Sequence, residues 1–386
     1  MKQSSLFFFT LLVAFSCSKN VSEEEIEAVV VTDDFKSYRL DIDLPVERFA
    51  DLIESVELVR MEETDNSLLS NIYDIHQSKD QLVFTSGKES DVFVFDLKGN
   101  FVRKINRKGE GPEEYLNIRN LWLEGDTLAI YSRNQSTVKR YDLRGNFIRS
   151  ERLPVAPGHL YSYKGGYAME MDYRPINDTS YYRYVTLDKD LKPSGMYLPV
   201  DNRMLMGLSL SASAVVPYKD GVTLHRMMSD TVYYLNDKGF APLVHLEFGK
   251  DWYWDEGKDV TPDFVQVMQE TEKVWTAVAH IGDERIWVFT FNISSEGRII
   301  PSFLIDRATG MVYNVDMRKA DKSNSVAIAL RWDNEEMIYT IQSPDVASFL
   351  SELSEDQIKF RPGTTLEEIE SSENPVLMWV KFKEEY

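Results

Sequence analysis

Five histidines are scattered through the chain, and none stands at an H-x-H or H-E-x-x-H spacing that would let one strand or helix hold a metal. Three of them, His76, His159 and His280, lie in short β-like segments. If those segments surround a common axis, three imidazoles could converge on a divalent metal or an anionic ligand; three satisfied structural histidines are the plainer reading. The sequence itself calls for no cofactor and assigns no metal site. The stretch KDWYWDEGKD, residues 250–259, sets Trp252, Tyr253 and Trp254 among acids. Alternation in an extended segment sends Trp252 and Trp254 the same way, either onto a sugar ring as a glycan platform or under the elements that follow. A second polar-aromatic cluster, DYRPINDTSYYRY at 172–184, reads as a long hairpin excursion. Acidic pairs such as Glu113-Glu114 carry no acid–base assignment, because 63 carboxylate residues make chance adjacency certain.

RKGEGPEEYL, residues 107–116, places Arg107 before two glycines, a proline and an acidic-aromatic tail. It is not a phosphate loop, since it lacks the G-x-x-x-x-G-K-[ST] spacing and follows a strand instead of preceding a long helix. It suits a compact turn, with Gly109 or Gly111 expected at positive φ and Pro112 stiffening the exit. Arg107 stays a candidate ligand contact.

The elements that position these residues repeat. VFVFDLKGNFVRKI at 92–105 and VKRYDLRGNFIRSERL at 138–153 share a strand-turn-strand design, and Asp96, Asp142 and Asp188 recur at an equal interval of 46 residues. Each copy is a hairpin built on Asp, Asn and Gly, preceded by another pair of short strands. Four antiparallel strands per period of ~40 to 50 residues predict the blades of a β-propeller. Six are counted, at about 72–106, 118–153, 159–198, 210–246 and 277–315, with a composite last blade. That blade takes SVAIALRW, EMIYTIQS and PVLMWVKF from the C-terminal end and needs a fourth strand, for which SVELVRME at 55–62 is the candidate. His76, His159 and His280 then fall on the innermost strands of blades one, three and five. Two helical insertions are expected, over about 261–275 and about 344–354 with Ser343 as the cap.

MKQSSLFFFTLLVAFS, residues 1–16, is a secretory signal too short to span a bilayer, which needs ~20 apolar residues. Ala14-Phe15-Ser16-Cys17 resembles a bacterial lipobox, which implies lipid attachment at Cys17, the chain's single cysteine. Diacylglycerol plus an amide-linked chain such as palmitate would anchor the protein firmly. Residues 17–40 then form an acidic tether and 41–386 the propeller. A formal net charge of −20 argues against nucleic acid as a partner, leaving the membrane to the lipid anchor alone.

DVFVFDLKGNFVRKINRKGEGPEEYLNI, 91–118, with its G-x-G-P-x-E-[YF] stretch at Gly109 to Tyr115, resembles the six-bladed β-propeller lipoproteins of Bacteroidetes, akin to NHL-repeat propellers. The resemblance implies an all-β propeller closed by an N-terminal strand and an outer-membrane, lipid-anchored address at the cell surface, with a periplasm-facing orientation as the alternative. It carries over no catalytic residue. Asp126-Thr127-Leu128 and Asp230-Thr231-Val232 resemble O-glycosylation acceptors of that phylum. The function expected is a non-catalytic binding or scaffold propeller for a glycan, peptide or partner protein, open to an outer-membrane transport or surface complex; the alternative is a glycan or ester hydrolase, or a lyase, with a site at the mouth of the central channel.

Overall fold

A computed structural model describes residues 34–87, 90–172, 174–177, 180–200, 214–226, 228–254, 266, 272–290, 301–318 and 326–384. The signal segment, Cys17 and nearly all of the helix expected over 261–275 lie outside the described residues. Six antiparallel sheets form a six-bladed propeller. Blade 1 runs through Tyr73–Gln77, Gln81–Thr85, Asp91–Asp96 and Phe101–Asn106. Blades 2 to 5 follow the same plan, starting at Asn120, His159, Val215 and Ala277. Innermost strands of successive blades pack side by side around the axis.

The turns explain the sequence period. Asp96 accepts from the backbone N–H groups of Lys98 and Asn100 while Gly99 takes φ +79°. Asp142 repeats this with Arg144, Asn146 and Gly145. In blade 3, Asp188 makes the same bonds to residues 190 and 192, and Leu191 occupies the left-handed position at φ +59° without a glycine. The local bond pattern, not the glycine, is what recurs.

Closure is as the sequence predicts, with one addition. Blade 6 orders Ile328–Asp333, Glu336–Ile341 and Val376–Phe382 from the axis outward, and its fourth strand is Ile53–Val59, antiparallel to Val376–Phe382. Outside it Ile358–Phe360 adds a fifth, parallel strand. Blades 4 and 5 also gain a parallel outer strand, Lys36–Arg39 and Val46–Arg48. The N-terminal segment is thus a strap laid over the rims of blades 4 and 5 before it enters blade 6. This corrects the tether boundary: Tyr38 and Leu40 are buried against blade 4 instead of solvated, because an outer strand with free N–H and C=O groups takes up the nearest chain that can pair with it.

Helix Ser343–Leu350 buries Val346, Phe349 and Leu350 against blades 5 and 6, where Phe49 of the strap stacks on Phe349 at 5.9 Å between ring centroids. Ser343 does not cap this helix. Gln342 occupies the cap position, and the Ser343 hydroxyl donates to the Asn374 carbonyl.

Candidate functional site at the channel mouth

Antiparallel order puts the start of each innermost strand and the end of the second strand at the same end of the ring. That end collects ionisable side chains. Asp74 is the second residue of blade 1, Arg119 directly precedes blade 2, and His159 opens blade 3, opposite Glu170 at the end of the neighbouring strand. Arg133 and Arg226 follow the second strands of blades 2 and 4.

Most of these charges hold one another. Arg226 Nε lies 3.2 Å from Glu170 Oε1, both side chains being buried, and Arg133 Nη2 donates to Asp172 at 2.5 Å. Asp172, from the start of the excursion after blade 3's second strand, sits at φ +47° and donates its backbone N–H to Glu170. Burial pushes the Glu170 carboxyl up against the opposing pull of Arg226. Arg119 donates through Nε to the Gly158 carbonyl, and its Nη2 lies 2.6 Å from His159 Nε2. The Asn120 amide approaches the other ring nitrogen at 3.2 Å. Burial, then the charges of Arg119 and Arg133, holds His159 well below the ordinary imidazole range, so the ring is neutral at pH 7.

Asp74 differs from its neighbours. Its carboxylate has no hydrogen-bond donor among the described residues, although protein surrounds it and only part of its surface is exposed. Its backbone is left-handed, at φ +48°, and the pairing of blade 1's first two strands shifts register between Tyr73 and His76. Burial pushes its carboxyl up to about 7, with Arg119 pulling the other way. A strained, enclosed carboxylate facing a guanidinium is the kind of group that sites retain for a ligand or a proton.

The three histidines do occupy innermost strands of blades 1, 3 and 5. The structure does not bring them together. His76 lies deeper, bonded to the Leu121 backbone, and burial and then Arg331 lower it to about 3. His280 is lowered to about 4 by burial and then by His225, a histidine of blade 4 that also bonds the Ser229 carbonyl. Each imidazole has a different neighbour, and among the described residues no group of three His, Cys, Asp or Glu is placed to hold a metal.

The aromatic platform is not assembled either. Trp252 is 7 % exposed and stacks on Phe248 at 5.3 Å in the core between blades 4 and 5, so its ring faces are not open to a sugar. Trp254 is half-buried and donates from its indole nitrogen to the Trp275 carbonyl. Arg107 serves the frame: its Nε donates to the Gly145 carbonyl at 3.0 Å, tying blade 1 to blade 2's turn. The connector after it is clamped by Tyr115, fully buried, whose hydroxyl donates to the Ser90 carbonyl. Tyr141 and Lys139 donate to the carbonyls of Glu113 and Pro112. Neither Gly109 nor Gly111 has positive φ. Glycine makes room there for the Glu114 carboxylate, which folds over the turn to accept the Gly111 N–H; a Cβ on Gly109 would lie 1.9 Å from Glu114 Oε2.

Asp74, Arg119, Glu170 and Arg226 carry no sequence motif. The available signal is position, since Asp74 and Arg119 lie at the starts of innermost strands and Glu170 and Arg226 at the ends of second strands once the blades are counted.

Together these features define an all-β six-bladed propeller with a polar channel mouth. The chain belongs to the family described as a domain of unknown function, DUF4934, which matches residues 41–381. Comparison with curated proteins gives no match. Among solved structures it resembles a Bacteroides fragilis protein described as exported, at 14% identity and TM-score 0.69, covering 91% of this chain and 100% of that one. It also resembles a DUF4221 family member from Bacteroides vulgatus, at 10% identity and TM-score 0.50, over 86% and 97% of the two chains. At these identities the likeness concerns the fold. No helix among the described residues is long and apolar enough to cross a membrane.

Proposed function

We propose that this protein is an exported, lipid-anchored binding propeller of the cell surface, which captures a glycan, peptide or partner protein at the channel mouth. The observation that supports it most is the ring of enclosed carboxylates, guanidiniums and neutral imidazoles at one end of a rigid frame, with the Asp74 carboxylate left without a hydrogen-bond donor among the described residues. Acylation of Cys17 would hold it at the outer membrane, and the same surface could dock onto a transport complex. The test is ligand screening of the mature protein against glycan and peptide arrays, followed by hydrogen exchange on any hit. Slowed exchange at residues 73–76, 119–122 and 159–162 is expected; slowing confined to the outer strands would overturn the mouth as the binding site. Labelling with a palmitate analogue, lost in Cys17→Ser, checks the anchor.

A second reading, a hydrolase or lyase at the same mouth, is favoured by the raised carboxyl of Asp74 beside Arg119. Turnover of any arrayed glycan that disappears in Asp74→Asn would replace the non-catalytic reading.

A further inference from the structure

We propose that the mouth recognises hydroxyl groups of an uncharged glycan, with the Asp74 carboxylate accepting their hydrogen bonds and Arg119 as the fixed positive charge beside it. The inference rests on the binding reading above and narrows it to one chemistry and one contacting residue.

Three observations carry it. Glu170 and Asp172 are each held by an arginine, whereas the Asp74 carboxylate is not. An ionised carboxylate has about four acceptor sites, and those of Asp74 are filled by no protein donor among the described residues, so they stay open to a ligand's donors. Second, Asp74 stands in a left-handed conformation at a register shift, so local pairing of blade 1 is given up at this residue. A bulge of this kind re-aims a side chain, and it falls here at the start of the blade's innermost strand.

Third, the surroundings select the donor. A cationic amine would have to enter beside Arg119. A polyanion would meet the field of a chain with formal net charge −20, and the imidazoles of His76 and His159 are held neutral, so they supply no compensating charge. Hydroxyl groups remain, and vicinal pairs on a sugar can fill both carboxylate oxygens at once. An extended peptide binds best along a groove or a sheet edge. This site lies at the starts of the innermost strands of a closed ring, which suits the end of a glycan chain.

Recognition of this type is proton-linked. Burial pushes the free Asp74 carboxyl up to about 7. Hydroxyl donors favour the ionised form, so binding releases a proton and strengthens as pH rises through 7. Arg119 is the charged group acting on Asp74. Arg331 of blade 6 reaches the neighbouring Ile75 carbonyl, His76 is on the same strand, and His159 lies beyond Arg119.

The experiment uses mature protein on an array of neutral and acidic oligosaccharides and of peptides, at pH 6 and pH 8. Asparagine tolerates left-handed backbone, so Asp74→Asn keeps the fold, which a thermal melt verifies. Expected are neutral-glycan hits that bind better at pH 8 than at pH 6, by up to about tenfold for one carboxyl that titrates near 7, and a loss of at least tenfold in Asp74→Asn at pH 8. Hits confined to acidic glycans or peptides overturn the proposal, as do neutral hits that Asp74→Asn retains in full. Hydrogen exchange separates the two layers. Slowed exchange at the mouth with unaltered Asp74→Asn binding sinks this inference and spares the binding reading, whereas no slowing at the mouth sinks both.

Discussion

Val56, in the strand that the chain lays down early, stands in register opposite Val380, in its last strand, and both are fully buried. That pairing joins an early strand of the chain to a late one. Val56→Asp sets an unpaired carboxylate in the seam, where charge and lost packing together cost about 3 to 5 kcal/mol. The expected result is a large drop in the thermal midpoint, with Val56→Ile changing it little; equal melts for Val56→Asp and the wild type would show that the seam does not hold the ring.

Arg140, 6 % exposed, donates to Glu124 at 2.8 Å and to Glu151 at 2.7 Å between blades 2 and 3. Burial alone would raise both carboxyls, but the hydrogen bonds of Arg140, with Ser162 at Glu124 and Tyr167 at Glu151, outweigh it and hold them low. A carboxylate whose folded pKa is depressed contributes stability above its unfolded pKa and loses it as pH falls through the folded one. Arg140→Met leaves two carboxylates without their cation and is expected to cost about 2 to 4 kcal/mol at pH 7. Denaturant melts from pH 7 to pH 3 should show that gap narrowing below about 4.5, as both groups take up protons.

Asp74 has the opposite sign. Its carboxyl is raised to about 7 in the fold, so the folded state binds more protons than the unfolded state between the unfolded carboxylate range and 7. Its ionisation therefore lowers stability progressively as pH rises across that window. Asp74→Asn removes the penalty, and its stability relative to the wild type should grow from pH 4 to pH 7 by about 2 to 4 kcal/mol, then level off. A flat difference across the window would mean that the carboxyl titrates normally.

The Gly109 turn predicts a coupling. Gly109→Ala displaces the Glu114 carboxylate and breaks its bond to the Gly111 N–H, at a cost of about 1 kcal/mol. In a Glu114→Ala background the added methyl meets no carboxylate, so the same change should cost markedly less. Additive effects in a double-mutant cycle would contradict the contact.

The blade repeat was legible because each turn needs an Asp acceptor at a fixed offset, and the closing strand because the last blade lacked one. The strap strands Lys36–Arg39 and Val46–Arg48 were not, since an outer parallel strand answers to the edge it covers and carries little pattern of its own. The site followed the same division. His76, His159 and His280 could be placed on innermost strands from the blade count, but their neighbours Arg331, Arg119 and His225 come from other blades, and side-chain pairing across a ring leaves no spacing in the sequence. Trp252 read as a platform because alternation cannot tell a ring that meets solvent from one that meets Phe248.

The strap and the seam also set an order in time. Ile53–Val59 leaves the ribosome before any blade exists, yet its partner Val376–Phe382 is among the last segments made. Until Ile358–Phe360 and Val376–Phe382 follow, that early strand has no native edge to join, and blade 6 is completed only when the latter is in place. Such long-range pairing makes for slow closure. The ring therefore closes as a late event, and until then Ile53–Val59 is a strand with open edges that a stranger could fill.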